Sequence, residues 1–445
     1  MNLNRAFGFN LSVRSGSSGY LLCNSIRALG AFAGFLTAYF SLRYGSASEY
    51  GYFLFAASII GFLPEFISSL AVAEYLNFFT RSLNQSTALG DSESISIERY
   101  QELFNWFWIS CLASLVFALF VPIFHSPRGF FVLSGAAVFV YSRQHLTILA
   151  EKLRLSFSPF VGDFVLFVAP QSLVVLLLCL LHVLQPASRL NAMQLGFSSA
   201  LPYSFILVFA GLNKFLKLYV SDDAYRAKKV PQLFAKLWSP SGSALTNQLS
   251  IATLLSYCSI RLPGLFLGFS SAQIADVAVY GILQRIQYLV SIPGYSFISW
   301  NSRGLANAVS KGSKRSISRL GVGMLFASIA SPIAFWLIFI SYRQGVTWLF
   351  SKNGFGFEVS PFLLAVVLVA TSLLVLQAFV INTLNASSKF ELLLRSQAWR
   401  LLVIFIAFLC LVFAGKISVV TIFSLEVASL LVSLFLVFFR LLGSE

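Results

Sequence analysis

Four arginines of this 445-residue chain, Arg27, Arg143, Arg261 and Arg285, stand inside otherwise apolar runs. Glu65, Asp163 and Glu426 share that setting. An ionisable side chain in such a run costs several kcal/mol unless it finds a partner or faces water, so each marks either an ion pair or a functional site. A guanidinium offers a rigid fork of donors that suits carboxylates and phosphates two bonds at a time. The chemistry open to this set is therefore the capture of an anion. The five cysteines contain no C-x-x-C pair, and the three histidines lie too far apart for a ligand motif, so neither a metal nor a cofactor is expected.

The elements that carry these residues follow from hydropathy. The chain is 58% hydrophobic and 11% charged, with a mean hydropathy of +0.81. A globule of this size has no core able to hide that much apolar side chain, so lipid is its solvent. Twelve runs are long enough to cross a bilayer: 18–41, 50–76, 103–124, 130–150, 159–184, 194–217, 241–268, 276–300, 320–342, 359–384, 398–415 and 418–440. The run from residue 18 lacks a small-residue cleavage site and reads as a retained helix.

The net charge of +15 is explained by topology. With the N-terminus inside, 21 of the 31 Lys and Arg fall in cytoplasmic segments and six outside, leaving the four buried arginines. That bias predicts N-in and C-in. The basic loops 214–236 and 303–319 read as topology determinants and contacts for anionic lipid headgroups; nucleic acid is not an expected partner. A long polar connection at about 218–240 divides the chain into an N-terminal lobe, 1–220, and a C-terminal lobe, 221–445. No loop is long enough for a water-soluble catalytic module, so an enzyme of that kind is excluded.

Depth along each span gives expected partners. At about 1.5 Å per residue, Arg261 and Arg285 lie about 10–14 Å below the outer surface on adjacent helices. Arg27 and Glu65 both lie about 21–23 Å down, which predicts an ion pair between them. The functional reading is a cationic cavity lined by Arg27, Arg143, Arg261 and Arg285, with Glu65 and Asp163 as ion-coupling or gating groups. Plainer readings stand beside it: Arg143 snorkelling toward Lys152, Arg261 or Arg285 pairing with Asp276, and Asp163 and Glu426 as structural carboxylates beside Arg154 and Lys416. Pro263 and Pro293 interrupt helices and are candidate hinges.

The halves echo each other. Tyr50-Gly51 followed by Pro64, and Tyr280-Gly281 followed by Pro293, recur 230 residues apart, or six spans. An even number of spans per repeat gives a parallel repeat about an axis normal to the membrane. The stretch 42–60 (L-R-Y-G-S-A-S-E-Y-G-Y-F-L-F-A-A-S-I-I), together with A-E-Y-L-N-F-F-T-R at 73–81 and A-Q-I-A-D-V-A-V-Y-G-I-L-Q-R-I-Q at 272–287, resembles the bacterial polysaccharide-repeat-unit (O-antigen) flippases. These belong to the multidrug/oligosaccharidyl-lipid/polysaccharide exporter superfamily.

The resemblance implies an all-α membrane protein of twelve helices in two lobes around a central cavity. It would sit in the bacterial inner membrane and move an undecaprenyl-pyrophosphate-linked oligosaccharide from the cytoplasmic to the periplasmic leaflet as a monomeric transport unit. A polysaccharide polymerase and chain-length machinery would be partners. With no nucleotide-binding motif, transport would draw on an ion gradient or the membrane potential. The alternatives are a multidrug efflux transporter of the same superfamily and a membrane-embedded polymerase or ligase.

Overall fold

The computed structural model describes residues 17–84, 108–121, 124–156, 159–185, 189–212, 244–270, 274–342, 360–387 and 389–442. They form twelve helical segments, and no strand occurs among the described residues. The first four are α1 (Ser17–Tyr44), α2 (Ala47–Asn84), α3 (Trp108–Leu119) and α4 (Pro127–Ser156). Segment α5 runs through Pro159–Asp163, a π-helical turn at Phe164–Val168 and Ala169–Leu184. Then come α6 (Ala192–Leu212), α7 (Ala244–Ser270), α8 (Ala275–Ser310) and α9 (Lys314–Ser341). The last three are α10 (Pro361–Ala386), α11 (Phe390–Phe413) and α12 (Val419–Leu442).

Each segment answers one of the twelve expected spans. Eight are long and apolar enough to cross a membrane by length and composition alone, and α3 and α6 are shorter apolar helices. The two left over, α4 and α8, are the ones that carry Arg143 and Arg285. The expected lobe boundary near residue 220 and the basic loop 214–236 lie outside the described residues.

Helix ends carry the chemistry that stops a helix. Ser360 accepts a bond from the Leu363 amide at 3.1 Å just ahead of Pro361, and Asn191 and Gln194 cap each other's amides at 2.9 and 3.0 Å. Glu49 is shared by three elements: it stands in the first turn of α2, pairs with Arg128 of α4, and accepts the Ala192 amide of α6 at 2.7 Å. It ties these helix ends together on one membrane face.

Within α1–α6, α4 packs on both α2 and α6, and α5 packs on α1. Gly135 and Gly196 bring α4 and α6 so close that a Cβ on Gly135 would lie 3.2 Å from the Gly196 carbonyl carbon. Such small-residue crossings are the usual means of helix association in lipid, where apolar burial drives little. Within α7–α12, α11 packs on α7 and α12, and α10 on α8, α9 and α12. Phe117, Phe120, Phe326, Phe413 and Phe435 are exposed on the outside of the bundle, as a lipid-facing surface requires.

The two groups of six meet through α1 against α8 and α2 against α7 and α8. If α1 corresponds to α7 and α2 to α8, this is the partner exchange that a two-fold axis generates. The repeated Tyr-Gly motifs lie on that seam. A Cβ on Gly51 of α2 would strike the Ile274 carbonyl at the start of α8, and one on Gly281 of α8 would strike Leu54 of α2. Phe55 of α2 packs edge-on to Phe269 at the end of α7.

Candidate functional site

The seam between the two groups, the lobes, carries the buried charge. Glu65, one residue beyond Pro64 in α2, has its side chain 9% exposed and pairs with Arg261 of α7. Tyr257, one helical turn before Arg261, donates to the same carboxylate at 2.9 Å and packs edge-on to Phe62. The i, i+4 spacing places both donors on one face of α7. Arg143 of α4 stands 3.9 Å from the other Glu65 oxygen. One carboxylate of the first lobe is thus held by a guanidinium and a phenol of the second, with a second guanidinium beside it.

This corrects the expected Arg27–Glu65 pair. Arg27 instead binds Asp163, through Nε at 2.6 Å and Nη2 at 3.2 Å, and the Asp163 side chain is fully buried. The two-pronged geometry spends most of what a guanidinium offers a carboxylate. Asp163 immediately precedes the π-helical turn of α5, whose Phe167 presses on α1 where Gly30 leaves room; a Cβ there would lie 2.5 Å from the Phe167 Cβ. Pro170 follows that turn, and lacking an N–H it releases the Leu166 carbonyl from an ordinary helical bond. Asp163 is therefore an interior ion-pair member and not a snorkelled carboxylate, and the Arg154 side chain lies outside the described residues.

The pairing error has a geometric source. Equal-depth reckoning assumes that neighbouring helices start at one height, whereas Phe55, eight residues into α2, packs at Gly268, two residues from the end of α7. That is an offset of about 9 Å. It raises Glu65 towards the level of Arg261, and the length of an arginine covers the remainder.

Arg285 of α8 points into the first lobe. Its Nη1 would be 3.6 Å from a Cβ on Gly34 of α1, and its guanidinium reaches the Tyr50 hydroxyl at the head of α2. Around it runs a polar thread through the apolar interior: the Thr37 hydroxyl lies 3.1 Å from Gln171 Oε1, and Gln171 Nε2 donates to the Tyr203 hydroxyl at 2.5 Å. Tyr203 in turn lies in the electrostatic field of both Arg143 and Arg285. Arg143, Arg261 and Arg285 therefore gather at the seam, while Arg27 is engaged by Asp163. Arg261 and Arg285 do not share a partner: one reaches Glu65 deep in α2, the other Tyr50 at the head of α2 and the surface of α1 at Gly34. Neither takes Asp276.

Pro263 lies two residues from Arg261, and Pro293 two turns beyond Arg285, both inside unbroken helices. Among the described residues no group of His, Cys, Asp or Glu is arranged to hold a metal ion. Glu426 is another correction. It is buried at 3% exposure rather than snorkelled, and lies in the field of Arg400. Arg400 counts with the cytoplasmic charges by its sequence position, yet it is an interior residue of α11 at 1% exposure. A signal for it existed: Leu393, Gln397, Arg400 and Ile404 recur at helical spacing on one buried face.

No family model matches the sequence, and no curated protein matches it. Solved structures do match in fold. A point mutant of the Vibrio cholerae MATE transporter VcmN superposes with a TM-score of 0.63 at 11% identity, covering 96% of this chain and 97% of that one. The MATE multidrug transporter DinF-BH, solved as a ligand complex, gives 0.57 at 13% identity over 97% and 96%. A MOP-superfamily transporter from Pyrococcus furiosus, described by a reversed polarity of its binding pocket, gives 0.52 at 13% identity over 95% and 94%. The chain therefore has the two-lobed, twelve-helix fold of the MATE transporters of the MOP superfamily.

Proposed function

We propose that the protein is a secondary transporter that moves an amphipathic substrate across a membrane by alternating access of its two lobes. The observation that carries this reading is the clasp across the seam, in which Glu65 of one lobe is held by Tyr257 and Arg261 of the other. Parting the lobes on that face must break it, and closing them must remake it. A charged contact that breaks and reforms where substrate would enter is suited to gating, and Glu65 is the group that a proton or substrate anion would release.

The fold likeness favours efflux of drug-like amphiphiles over oligosaccharide flipping, since solved structures of this fold include multidrug transporters. The polarity of the seam limits what such a pump would carry. Arg143, Arg261 and Arg285 outnumber Glu65 there, which favours anionic or neutral compounds over cationic ones. The same arginine excess supports a second reading, the flipping of an undecaprenyl-pyrophosphate-linked oligosaccharide, in which the arginines take the pyrophosphate while the polyprenyl tail stays in lipid. In that reading the chain sits N-in and C-in in a bacterial inner membrane, with Arg27–Asp163 as a structural or gating pair and Pro263 and Pro293 as hinges.

The test is deletion and rescue in the native cell. Lost efflux of anionic dyes with normal surface polysaccharide supports the pump. Lost polysaccharide with lipid-linked repeat units stranded on the cytoplasmic leaflet supports the flippase. An unchanged phenotype in both assays, with no transport by the purified protein in liposomes, overturns both. Arg261→Ala and Arg285→Ala should abolish the rescue while Arg→Lys retains part of it.

A further inference from the structure

Away from the seam, the second lobe contains a group of polar side chains with no work to do inside it. Arg400 of α11 is 1% exposed, yet its Nε and Nη2 have no hydrogen-bond partner. Gln397, one turn earlier, is fully buried with both amide atoms unpartnered. Across from them stand Glu426 of α12, whose Oε2 has no donor, and Gln287 and Tyr280 of α8, whose Nε2 and hydroxyl are unpartnered. Buried polar atoms almost always find partners, because each unmet group bears its desolvation penalty uncompensated, and a charged one bears more. Here a cation, an anion, two amides and a phenol leave that capacity unused together.

The groups face each other. Glu426 lies in the field of Arg400 and beside the Gln287 amide, without a closed hydrogen bond to Gln287 Nε2. Arg400 lies in the field of Glu426, Tyr295 and Tyr280. Tyr280 packs over Gly264 of α7, where a Cβ would lie 2.9 Å from its ring, and its hydroxyl lies in the field of both Arg400 and Arg261. The other elements against α12 add nothing ionisable that competes. Helix α10 has no titratable side chain and offers Gln377, which donates to Ser433 at 3.0 Å. Helix α7 offers Tyr257, Cys258 and Arg261, of which Tyr257 and Arg261 are engaged by Glu65.

We propose that this interior cluster is a proton-binding site centred on Glu426, separate from the seam and lying entirely within the second lobe. A proton delivered by water adds to Oε2, converting the carboxylate to a neutral acid with an O–H to donate, and leaves by the reverse step. A metal cation is disfavoured there by the nearby guanidinium of Arg400, which a proton on the far oxygen tolerates better. Tyr280 stands between this site and Arg261, so protonation of Glu426 alters the field at the clasp. The site is consistent with either substrate reading and depends on neither.

The experiment needs no substrate. The purified full chain in lipid nanodiscs is stepped in pH and followed by infrared difference spectroscopy, which reads the carbonyl stretch of protonated carboxyls. Wild type should gain such a band on acidification, Glu426→Gln should lack it, and Glu426→Asp should show it displaced. Arg400→Gln should bind the proton at least tenfold more tightly, because a nearby cation opposes protonation. A band unchanged in Glu426→Gln overturns the proposal. So does a band removed by sodium chloride at fixed pH, which would assign the site to a metal ion. If Glu426→Gln fails to elute as a single species, Glu426→Asp decides: an unchanged band overturns the proposal.

Discussion

Replacing Gly51 by alanine tests whether the Tyr-Gly seam sets the lobe arrangement. The added Cβ would strike the Ile274 carbonyl oxygen and lie 3.1 Å from its carbon and 3.4 Å from the Ala278 amide. All three are backbone atoms at the start of α8, so no rotamer change can absorb the methyl. Restoring an ordinary carbon–oxygen contact requires α2 and α8 to separate by about 1 Å, and overpacking of this kind costs about 1–3 kcal/mol. If that cost falls only on the closed seam, the ratio of closed to open molecules drops by about 5- to 150-fold. Gly281 differs: its Cβ would meet the Leu54 side chain, which can turn away, so Gly281→Ala should cost less. Gly304 has nothing within 4 Å and serves as the silent control. Spin labels at the exposed Ser48 of α2 and at Ala275 of α8 read the separation by pulsed electron resonance. Gly51→Ala should move population to a longer distance and Gly304→Ala should not. An unchanged distribution in Gly51→Ala would refute the argument that this contact holds the lobes.

The ion pairs make further expectations. Arg27→Ala leaves the fully buried Asp163 without its partner and should lower stability by about 3–5 kcal/mol, read as the melting midpoint in detergent; Arg27→Met with Asp163→Leu should recover most of the loss. Tyr257→Phe removes one donor from Glu65 and should weaken the clasp by about 1.5–3 kcal/mol, seen as faster exchange between lobe states. Glu49→Ala removes the cap on the Ala192 amide, and a loss of about 0.5–2 kcal/mol in thermal unfolding is expected; no change would mean that water accepts the amide's bond equally well. Ser360→Ala should cost about 1 kcal/mol by the same assay, since Ser360 caps α10 ahead of Pro361.

Much of the architecture was legible because span length and apolarity are one-dimensional properties. The twelve runs reappear as α1–α12, and the Tyr50-Gly51 and Tyr280-Gly281 echo marks the surfaces where α2 and α8 meet. The partners of the buried charges were not legible, for two physical reasons. Depth along a span says nothing of the vertical offset between helices, and the stagger between the start of α2 and the end of α7 brought Glu65 to Arg261 and left Arg27 to Asp163. Direction around a lipid-bathed helix is also weakly encoded, since apolar side chains suit both lipid and core. Arg400 was lost for a third reason: it stands two residues into the expected span 398–415, behind the charged stretch F-E-L-L-L-R-S-Q-A-W, where a basic side chain reads as interfacial although α11 begins at Phe390 and Arg400 is interior.

Reciprocal motion of the two membrane faces tests the central claim most directly. One label pair, Ser48 with Ala275, reports the face where the seam is closed; a second, Val208 with Lys311, reports the opposite face. In the purified chain carrying Glu65→Gln, alternating access predicts that the first distance lengthens as the second shortens. Two distances that stay fixed, or that lengthen together, would contradict it.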